Sequence, residues 1–265
     1  MKSLLVFFLS FSVLAQSPTR PVSDFKRAYQ DYLFNFNQYR QFHQNYSTKK
    51  QAHLNYQTLR SKSQAENATQ IMLKFRDEVI RTYLTALRLK FAEITKVADY
   101  QQNVLYLQLD KEVFWYSNHQ NLINQTQNLE KLVSLAAETE EKYQKTEVLV
   151  YQTLGTILIE KEVHLEEKIS TQIDQLSEKI EEIKKDGSKN TARAETWLVE
   201  TKSKLNESKE RQNKTRQMLA KFQPKKENKT KIYQEIQNEL IESHQALKTA
   251  NSYLLEIIQE LKTAD

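Results

Sequence analysis

The sequence predicts an all-α protein, an elongated antiparallel helical bundle or array of coiled-coil hairpins with very long helices. Only two of its 265 residues are Gly and three are Pro, which is too few turn formers for the many tight reversals of a sheet protein. Long stretches repeat apolar residues in alternating steps of four and three, the spacing of one helix stripe. Hydrophobic residues make up 39% of the chain and charged residues 28%, a composition that suits narrow bundles better than disorder.

Residues 1–15 have the pattern of a secretory signal peptide. Lys2 supplies the charged start, a mostly apolar run follows, and Ala15 is the small residue before an expected cleavage at Gln16. Residues 16–22 are expected to form a short linker. We therefore expect a secreted or extracytoplasmic protein with no further transmembrane segment, and an uncleaved signal kept as an anchor is the alternative. The chain has no Cys, so packing alone would hold the exported fold.

Residues 23–95 are expected to form one long helix, or two helices joined near Ser47 and Thr48, with Ser23 as the N-cap. An aromatic stripe opens this stretch: Phe25, Tyr29, Tyr32, Phe36, Tyr39, His43 and Tyr46. Such a stripe could stack sugars or single-stranded nucleic acid. Its heptad spacing favours a core seam, on which His43 would be buried or half-buried. The seam is expected to continue from Leu54.

Residues 104–120 predict a short amphipathic helix that caps the end of the bundle. Its apolar positions follow steps of four, four and three, with a Trp beside them. The same face could instead lie on a membrane surface or on a partner. The candidate contact residues are Leu105, Leu109, Val113 and Trp115.

Residues 128–186 predict the central long helix, with Gly187 as its C-cap. Its 148–159 segment is apolar nearly all round, but it is too short to span a bilayer, which takes about 20 residues. We expect it to be buried on several sides at the thickest part of the bundle. The alternative is an apolar element that enters a membrane or contacts a partner through Val148, Leu149, Val150, Leu154, Ile157, Leu158 and Ile159.

Two further helices are expected at residues 190–223 and 225–263, separated by Pro224. The seam of the first is polar in its middle, so we expect it to pack loosely or stand partly in water. The seam of the second keeps apolar or small residues in register over its whole length, which predicts firm packing against its neighbours.

Net charge alternates in sign along four consecutive blocks of the chain, which suits antiparallel neighbours that neutralise each other. The most basic block, residues 184–231, is either a solvated and partly compensated face or a site for an anionic polymer or lipid head groups. The candidate residues are Lys184, Lys185, Lys189, Lys214, Arg216, Lys225 and Lys226. Nucleic acid is not an expected partner, because an export signal removes it from reach.

No motif predicts a reaction. The five His are far apart and none has another His three or four residues away, so a helix-borne zinc site is not indicated. Asp77 and Glu78 have the pattern of ordinary solvent-facing charges. We expect no catalytic, metal or cofactor site and no enzymatic activity. Six Asn-x-Ser/Thr sequons occur, at Asn45, Asn67, Asn124, Asn206, Asn213 and Asn228.

The first functional hypothesis is a secreted, non-enzymatic structural or interaction protein that presents a rod-like bundle at the cell surface. Its partner would be a protein or another part of the cell envelope, and self-association would also satisfy such long seams. In layout, with long helices, export and no disulfides, the chain resembles secreted α-helical pore-forming toxins. The second hypothesis is a membrane-active protein in which the 148–159 segment or the 104–120 helix inserts after binding, and this resemblance in layout agrees with it. A third is an extracytoplasmic ligand-binding bundle.

Overall fold

The computed structural model describes residues 23–94, 100–187, 190–222 and 229–263, and within them six helices carry the whole architecture. They are α1 (Asp24–Tyr56), α2 (Leu59–Ile94), α3 (Tyr100–Asn124), α4 (Leu129–Asp186), α5 (Ala192–Ala220) and α6 (Lys229–Thr263). The expected all-α fold with very long helices is confirmed. At 58 residues, α4 is about 87 Å long at 1.5 Å per residue. The predicted signal peptide and linker lie outside the described residues.

The first predicted helical stretch is two helices, and the break lies at Gln57 and Thr58 rather than near Ser47. Gln57 has φ 50°, a left-handed conformation that ends α1. Thr58 and Ser61 then cap α2 reciprocally: the Thr58 hydroxyl accepts from the Ser61 N–H at 3.1 Å, and the Ser61 hydroxyl accepts from the Thr58 N–H at 3.0 Å. This local pairing of two short polar side chains favours a helix start over continuation.

The amphipathic helix α3 is longer than expected at both ends. It begins at Tyr100 and ends at Asn124. A short polar connection separates it from α4, where the Asn128 side chain accepts from the Lys131 N–H at 3.2 Å as the N-cap. Gly187 ends α4 with φ 62°, as predicted, because glycine adopts this left-handed conformation without a side-chain clash.

The six helices form two bundles that share α4. In the first, α2 lies at the centre and packs against α1, α3 and the N-terminal half of α4, whereas α1 packs against α2. In the second, the C-terminal half of α4 packs against α5 and α6, which also pack against each other. Since α4 runs through both bundles, the molecule extends along this one helix.

Three hydrophobic cores follow one another along α4. The first joins α1, α2, α3 and α4 down to Ile157. The middle core joins α4 around Tyr151 to the end of α5 and the start of α6. The third joins α4 from Ile169 to Ile180 with α5 and α6. Each core is narrow, but together they cover almost the full length of the shared helix.

Ion pairs across helices agree with the alternating charge of the sequence. Arg88 of α2 pairs with Asp110 of α3 at 2.6 Å. Arg211 of α5 pairs with Glu239 of α6 at 3.1 Å, and Lys209 of α5 lies 3.6 Å from a carboxylate oxygen of α4. Neighbouring helices therefore do neutralise part of each other's charge.

The polar middle of the α5 seam is buried, so the expectation of loose or wet packing was wrong. The buried side chains are small or hydrogen-bonded: Thr201, Ser208, Gln212 and Thr215. The Ser208 hydroxyl lies 2.8 Å from that of Ser243 on α6, and each threonine donates to a backbone carbonyl four residues earlier. Their polar atoms find partners inside the seam, which removes the cost of leaving water.

Two expectations about α1 were also wrong. His43 is exposed rather than buried, and it lies between the rings of Tyr39 and Tyr46 at centroid distances of 5.6 and 6.0 Å. Leu54 is exposed as well. Among the described helices α1 packs against α2 alone, so only a narrow strip of it is covered by them, and Tyr32 and Tyr39 occupy that strip.

Candidate functional site

The 148–159 segment of α4 lies where the two bundles meet, and neighbouring helices cover it. Most of the predicted contact residues are buried: Val148, Leu149, Val150, Ile157 and Ile159. Leu154 and Leu158 are half-buried and pack against these cores. One side of the segment faces the first core and the other faces the middle core, which is the multi-sided burial that the sequence indicated.

Gly155 lets the end of α5 approach this segment. A Cβ atom at this position would lie 2.6 Å from Cδ2 of Leu219, well inside van der Waals contact. The glycine therefore serves close packing between α4 and α5, at the helix-propensity cost that glycine carries.

The candidate residues of α3 point mainly inward. Leu109 is fully buried, and Leu105, Val113 and Trp115 are half-buried against the first core. The exposed large apolar residues of this helix are others: Leu107, Phe114 and Leu122. The predicted membrane or partner face of α3 is thus largely occupied by the packing of α3 against α2 and α4.

The basic candidates are spread along the second bundle rather than gathered in one place. Lys184 donates to Glu195 at 3.0 Å, and this hydrogen bond raises the pKa of Lys184. Lys214 donates to Glu239 and thereby lowers the pKa of that carboxyl group. Lys214 lies about 28 Å along α5 from Glu195, at 1.5 Å per residue.

The other basic candidates that the structure describes are Lys185 and Arg216. Arg216 is exposed and donates to the Asn213 side chain at 3.3 Å, and Lys185 is exposed. Three others, Lys189, Lys225 and Lys226, lie outside the described residues. As an anionic-surface site, residues 184–231 remain a prediction.

A buried polar cluster between α2, α3 and α4 was missed by the sequence reasoning. Asp77, interpreted above as solvent-facing, is fully buried, and its Oδ2 lies 2.5 Å from Nδ1 of His119. The Thr139 hydroxyl lies 3.4 Å from both Oδ1 of Asp77 and Nδ1 of His119. Trp115 stacks on the His119 ring at 4.7 Å and 10°. The cluster joins three helices through one carboxylate.

A second polar cluster continues along the same α3–α4 contact. Glu112 accepts from Lys142 and from the Thr146 hydroxyl, each at 2.6 Å. The Tyr116 hydroxyl lies 3.1 Å from that of Thr146, and burial raises the pKa of Tyr116. Lys142 also lies over the Trp115 ring at 5.4 Å. Polar groups therefore hold α3 to α4 over several turns.

Tyrosines and one ion pair mark the junction of the two bundles. Lys229, at the start of α6, donates to Glu147 of α4 at 2.6 Å, with little exposure of either side chain. Tyr151 and Tyr233 pack ring to ring at 4.6 Å. Burial raises the pKa of Tyr233 and of Tyr83, so these phenols stay neutral in the folded protein.

Asp77 and His119 are paired as the aspartate and histidine of a catalytic triad are, but here the pair is enclosed by protein. In such arrangements the second ring nitrogen faces a nucleophile or a substrate. Nε2 of His119 is buried without a hydrogen-bond partner among the described residues, and the His119 side chain is only 2% exposed. The contacts among Asp77, His119 and Thr139 hold α2, α3 and α4 in one relative orientation.

The sequence did contain a signal for these polar residues. Asp77 is in phase with Leu73, Ile80 and Leu84 of the α2 seam, so a helix that buries those residues also buries the aspartate. His119 is likewise in phase with other buried positions of α3. A charged residue at a core position indicates a buried partner on a facing helix.

The described ranges contain no candidate membrane span and no candidate metal site. No helix there is long and apolar enough to cross a membrane, and no three His, Cys, Asp or Glu side chains there are grouped so that they could hold a metal ion. Comparisons of the chain with protein-family models, curated proteins and solved structures gave no match.

Proposed function

We propose that this chain is a secreted, non-enzymatic structural or interaction protein, a helical rod that contacts a partner at the cell surface. The observation that carries the proposal is the continuous packing along α4. Three consecutive cores cover a helix about 87 Å long, and they join it to all five other helices directly or through α2. Such an architecture offers long lateral faces and distinct ends to a partner.

The buried polar clusters support this reading. Asp77 and His119 lock α2 to α3, and Lys229 with Glu147 locks α6 to α4. Buried polar pairs of this kind are costly to break from one side. They favour one arrangement of the helices, which is what a rod needs in order to keep a contact surface in a fixed place.

The pore-forming alternative has weaker support. Its motivation was the apolar 148–159 segment, and that segment is packed inside two cores. Insertion would require α4 to leave both bundles and break their packing against the other helices. The rod reading requires no such rearrangement.

The ligand-binding alternative has one surface feature in its favour. A groove of about 250 Å³ lies between α4 and α5, lined by Val163, Glu166, Lys209, Gln212, Asn213 and Arg216. Two of these, Glu166 and Lys209, already pair with each other at 3.6 Å. A small-molecule site usually converges several polar groups in an enclosed and mostly apolar pocket, so this groove supports the alternative only weakly.

Site-specific cross-linking on intact source cells tests the proposal. The chain has no Cys, so Phe114→Cys and Val199→Cys each give one attachment point for a photoreactive group on an exposed residue. Secretion and surface contact predict that external protease removes the labelled protein and that light produces a defined cross-linked band. Labelled protein that remains inside the cells, protected from the added protease, and that forms no cross-link would contradict the proposal.

A further inference from the structure

We infer that the tip of the α1–α2 hairpin is a docking site for an anionic lipid bilayer. The hairpin tip is defined here as residues 54–59, where α1 ends and α2 begins. The inference rests on the proposed function, because it names the surface through which the rod would contact a cell membrane. Three observations carry it: the tip projects from the bundle, it exposes large apolar side chains, and its surroundings carry only positive charge.

The tip projects beyond the rest of the first bundle. Gln70 of α2 reaches the α3–α4 connection, where its side-chain amide donates to the backbone carbonyls of Ile123 and Thr126 at 2.9 and 2.8 Å. The residues of α2 that precede Gln70 therefore extend past the ends of α3 and α4. From Leu59 to Gln70 this overhang is about 16 Å at 1.5 Å per residue.

The apolar side chains of the tip are unusually open to solvent. Leu54, Tyr56 and Leu59 are 56%, 72% and 88% exposed. The backbone there is well capped, by the left-handed Gln57 and by Thr58 and Ser61, so the exposure belongs to a defined turn between two helices. Three large apolar residues within one turn are the kind of surface that marks a contact site.

The charge around the tip is of one sign. Between residues 49 and 65 the chain has no Asp or Glu, whereas it has four basic residues: Lys49, Lys50, Arg60 and Lys62. None of these four forms an ion pair with a carboxylate in the described part of the chain, unlike Lys184 and Lys214 of the second bundle. Their charge is left for an external partner.

Apolar residues surrounded by uncompensated basic residues fit an anionic bilayer better than a protein groove. The apolar side chains would enter the boundary between head groups and acyl chains, and the basic residues would approach anionic head groups. Tyr is a favoured residue at this depth, because its ring is apolar and its hydroxyl is polar. No helix needs to cross the membrane for this contact.

The test uses the full chain with a single fluorescent label. Leu59→Cys carries an environment-sensitive fluorophore at the tip, and Val199→Cys carries it at an exposed residue of α5 as the matched control. Vesicles of phosphatidylcholine alone are compared with vesicles that also contain phosphatidylserine. We expect increased and blue-shifted emission at position 59 with the anionic vesicles, weakened by salt, and no change at position 199.

Two sets of substitutions then separate the tip from other surfaces. The triple variant Leu54→Ser, Tyr56→Ser and Leu59→Ser should lower vesicle binding about tenfold or more, since each buried apolar side chain adds affinity. Reversal of tip charge, with Lys49→Glu, Lys50→Glu, Arg60→Glu and Lys62→Glu, should do the same. A control with the same change in net charge reverses four exposed lysines of the second bundle: Lys168, Lys185, Lys202 and Lys248.

Several outcomes would overturn the inference. Equal loss of binding in the control would show that binding follows net charge rather than the tip. Emission that rises only at position 199 would assign the contact to the second bundle. No response at position 59 would show that the tip does not enter the bilayer. If vesicles fail but the surface cross-links described above form, the docking inference falls and the proposed function stands. If position 59 responds to vesicles but the protein never reaches the cell surface, the proposed function falls and the bilayer contact of the tip stands.

Discussion

His119 of α3 directs Nδ1 to within 2.5 Å of Oδ2 of Asp77 on α2, with both side chains almost completely buried. Thr139 of α4 completes the contact. The pair therefore does more than link two helices, since it lies at the point where α2, α3 and α4 meet. An arrangement in which α3 slides or rotates would leave a buried carboxylate without its partner.

Replacing either Asp77 or His119 should lower the free energy of unfolding substantially. Replacing both should lower it by less than the sum of the two single losses. Asp77→Leu or His119→Leu alone leaves a buried polar group unsatisfied, and we expect a loss of about 3 kcal/mol in the free energy of unfolding. The double variant should recover part of this, because neither member of the pair is then left buried without the other. Urea unfolding of the four proteins measures the coupling energy.

The exposed pair formed by Glu141 and Lys145 is the matched control. Its removal should change the free energy of unfolding little, because solvent screens both charges. Additive costs for Asp77 and His119, with no coupling energy between them, would show that the two side chains are independent and that the cluster does not fix the helices.

Gly155 should be intolerant of a large side chain. A Cβ atom already meets Leu219 at 2.6 Å, so Gly155→Leu overpacks the contact between α4 and α5 and should cost about 2 kcal/mol in stability. Leu219→Ala in the same chain should relieve part of that cost by making room. Thermal unfolding of the single and double variants provides the comparison, and a Gly155→Leu protein as stable as the parent would contradict this packing.

Stability should fall at alkaline pH because of the buried tyrosines. Burial, aided by Glu147, raises the pKa of Tyr143 above its ordinary value of 10.0. The unfolded chain then ionises first, so stability is present below pH 10 and is lost as the pH rises above it. Urea unfolding between about pH 8 and about pH 11 measures the slope.

Tyr143→Phe should make that slope shallower, since it removes one phenol that ionises only in the unfolded chain. Tyr56→Phe, at an exposed tyrosine, is the matched control for loss of a phenol hydroxyl. Identical slopes for Tyr143→Phe and the parent would mean that this phenol is as free to ionise in the fold as out of it.

The general form of the fold could be predicted from the sequence because it depends on few local rules. Repeats of four and three residues mark the seams, and Gly187 and Ser23 mark helix ends. The break at Gln57 was not predictable in the same way, since no Gly or Pro marks it. It depends on the cap between Thr58 and Ser61, which starts a new helix where the chain could also have continued the first one.

Side-chain environments were harder to predict than helices, because burial depends on how many neighbours each seam acquires. The apolar 148–159 segment was correctly expected to be covered on several sides. His43 was wrongly expected to be covered, since α1 has a single neighbour among the described helices. Asp77 was wrongly placed in solvent, although its phase with Leu73 and Ile80 assigns it to the core. The exposed tip was not predicted, because Leu54 was assigned to a seam and Tyr56 and Leu59 were not assigned to any surface.

A distance measured along α4 tests the central claim most directly, namely that this helix holds both bundles in one stable rod. Spin labels on Val133→Cys and Glu178→Cys, both exposed, should be about 68 Å apart at 1.5 Å per residue. We predict one narrow distance distribution near that value, unchanged when anionic vesicles are added. A broad distribution, or a shift to a shorter distance on vesicles, would show that α4 bends or leaves its bundles and would contradict the rod.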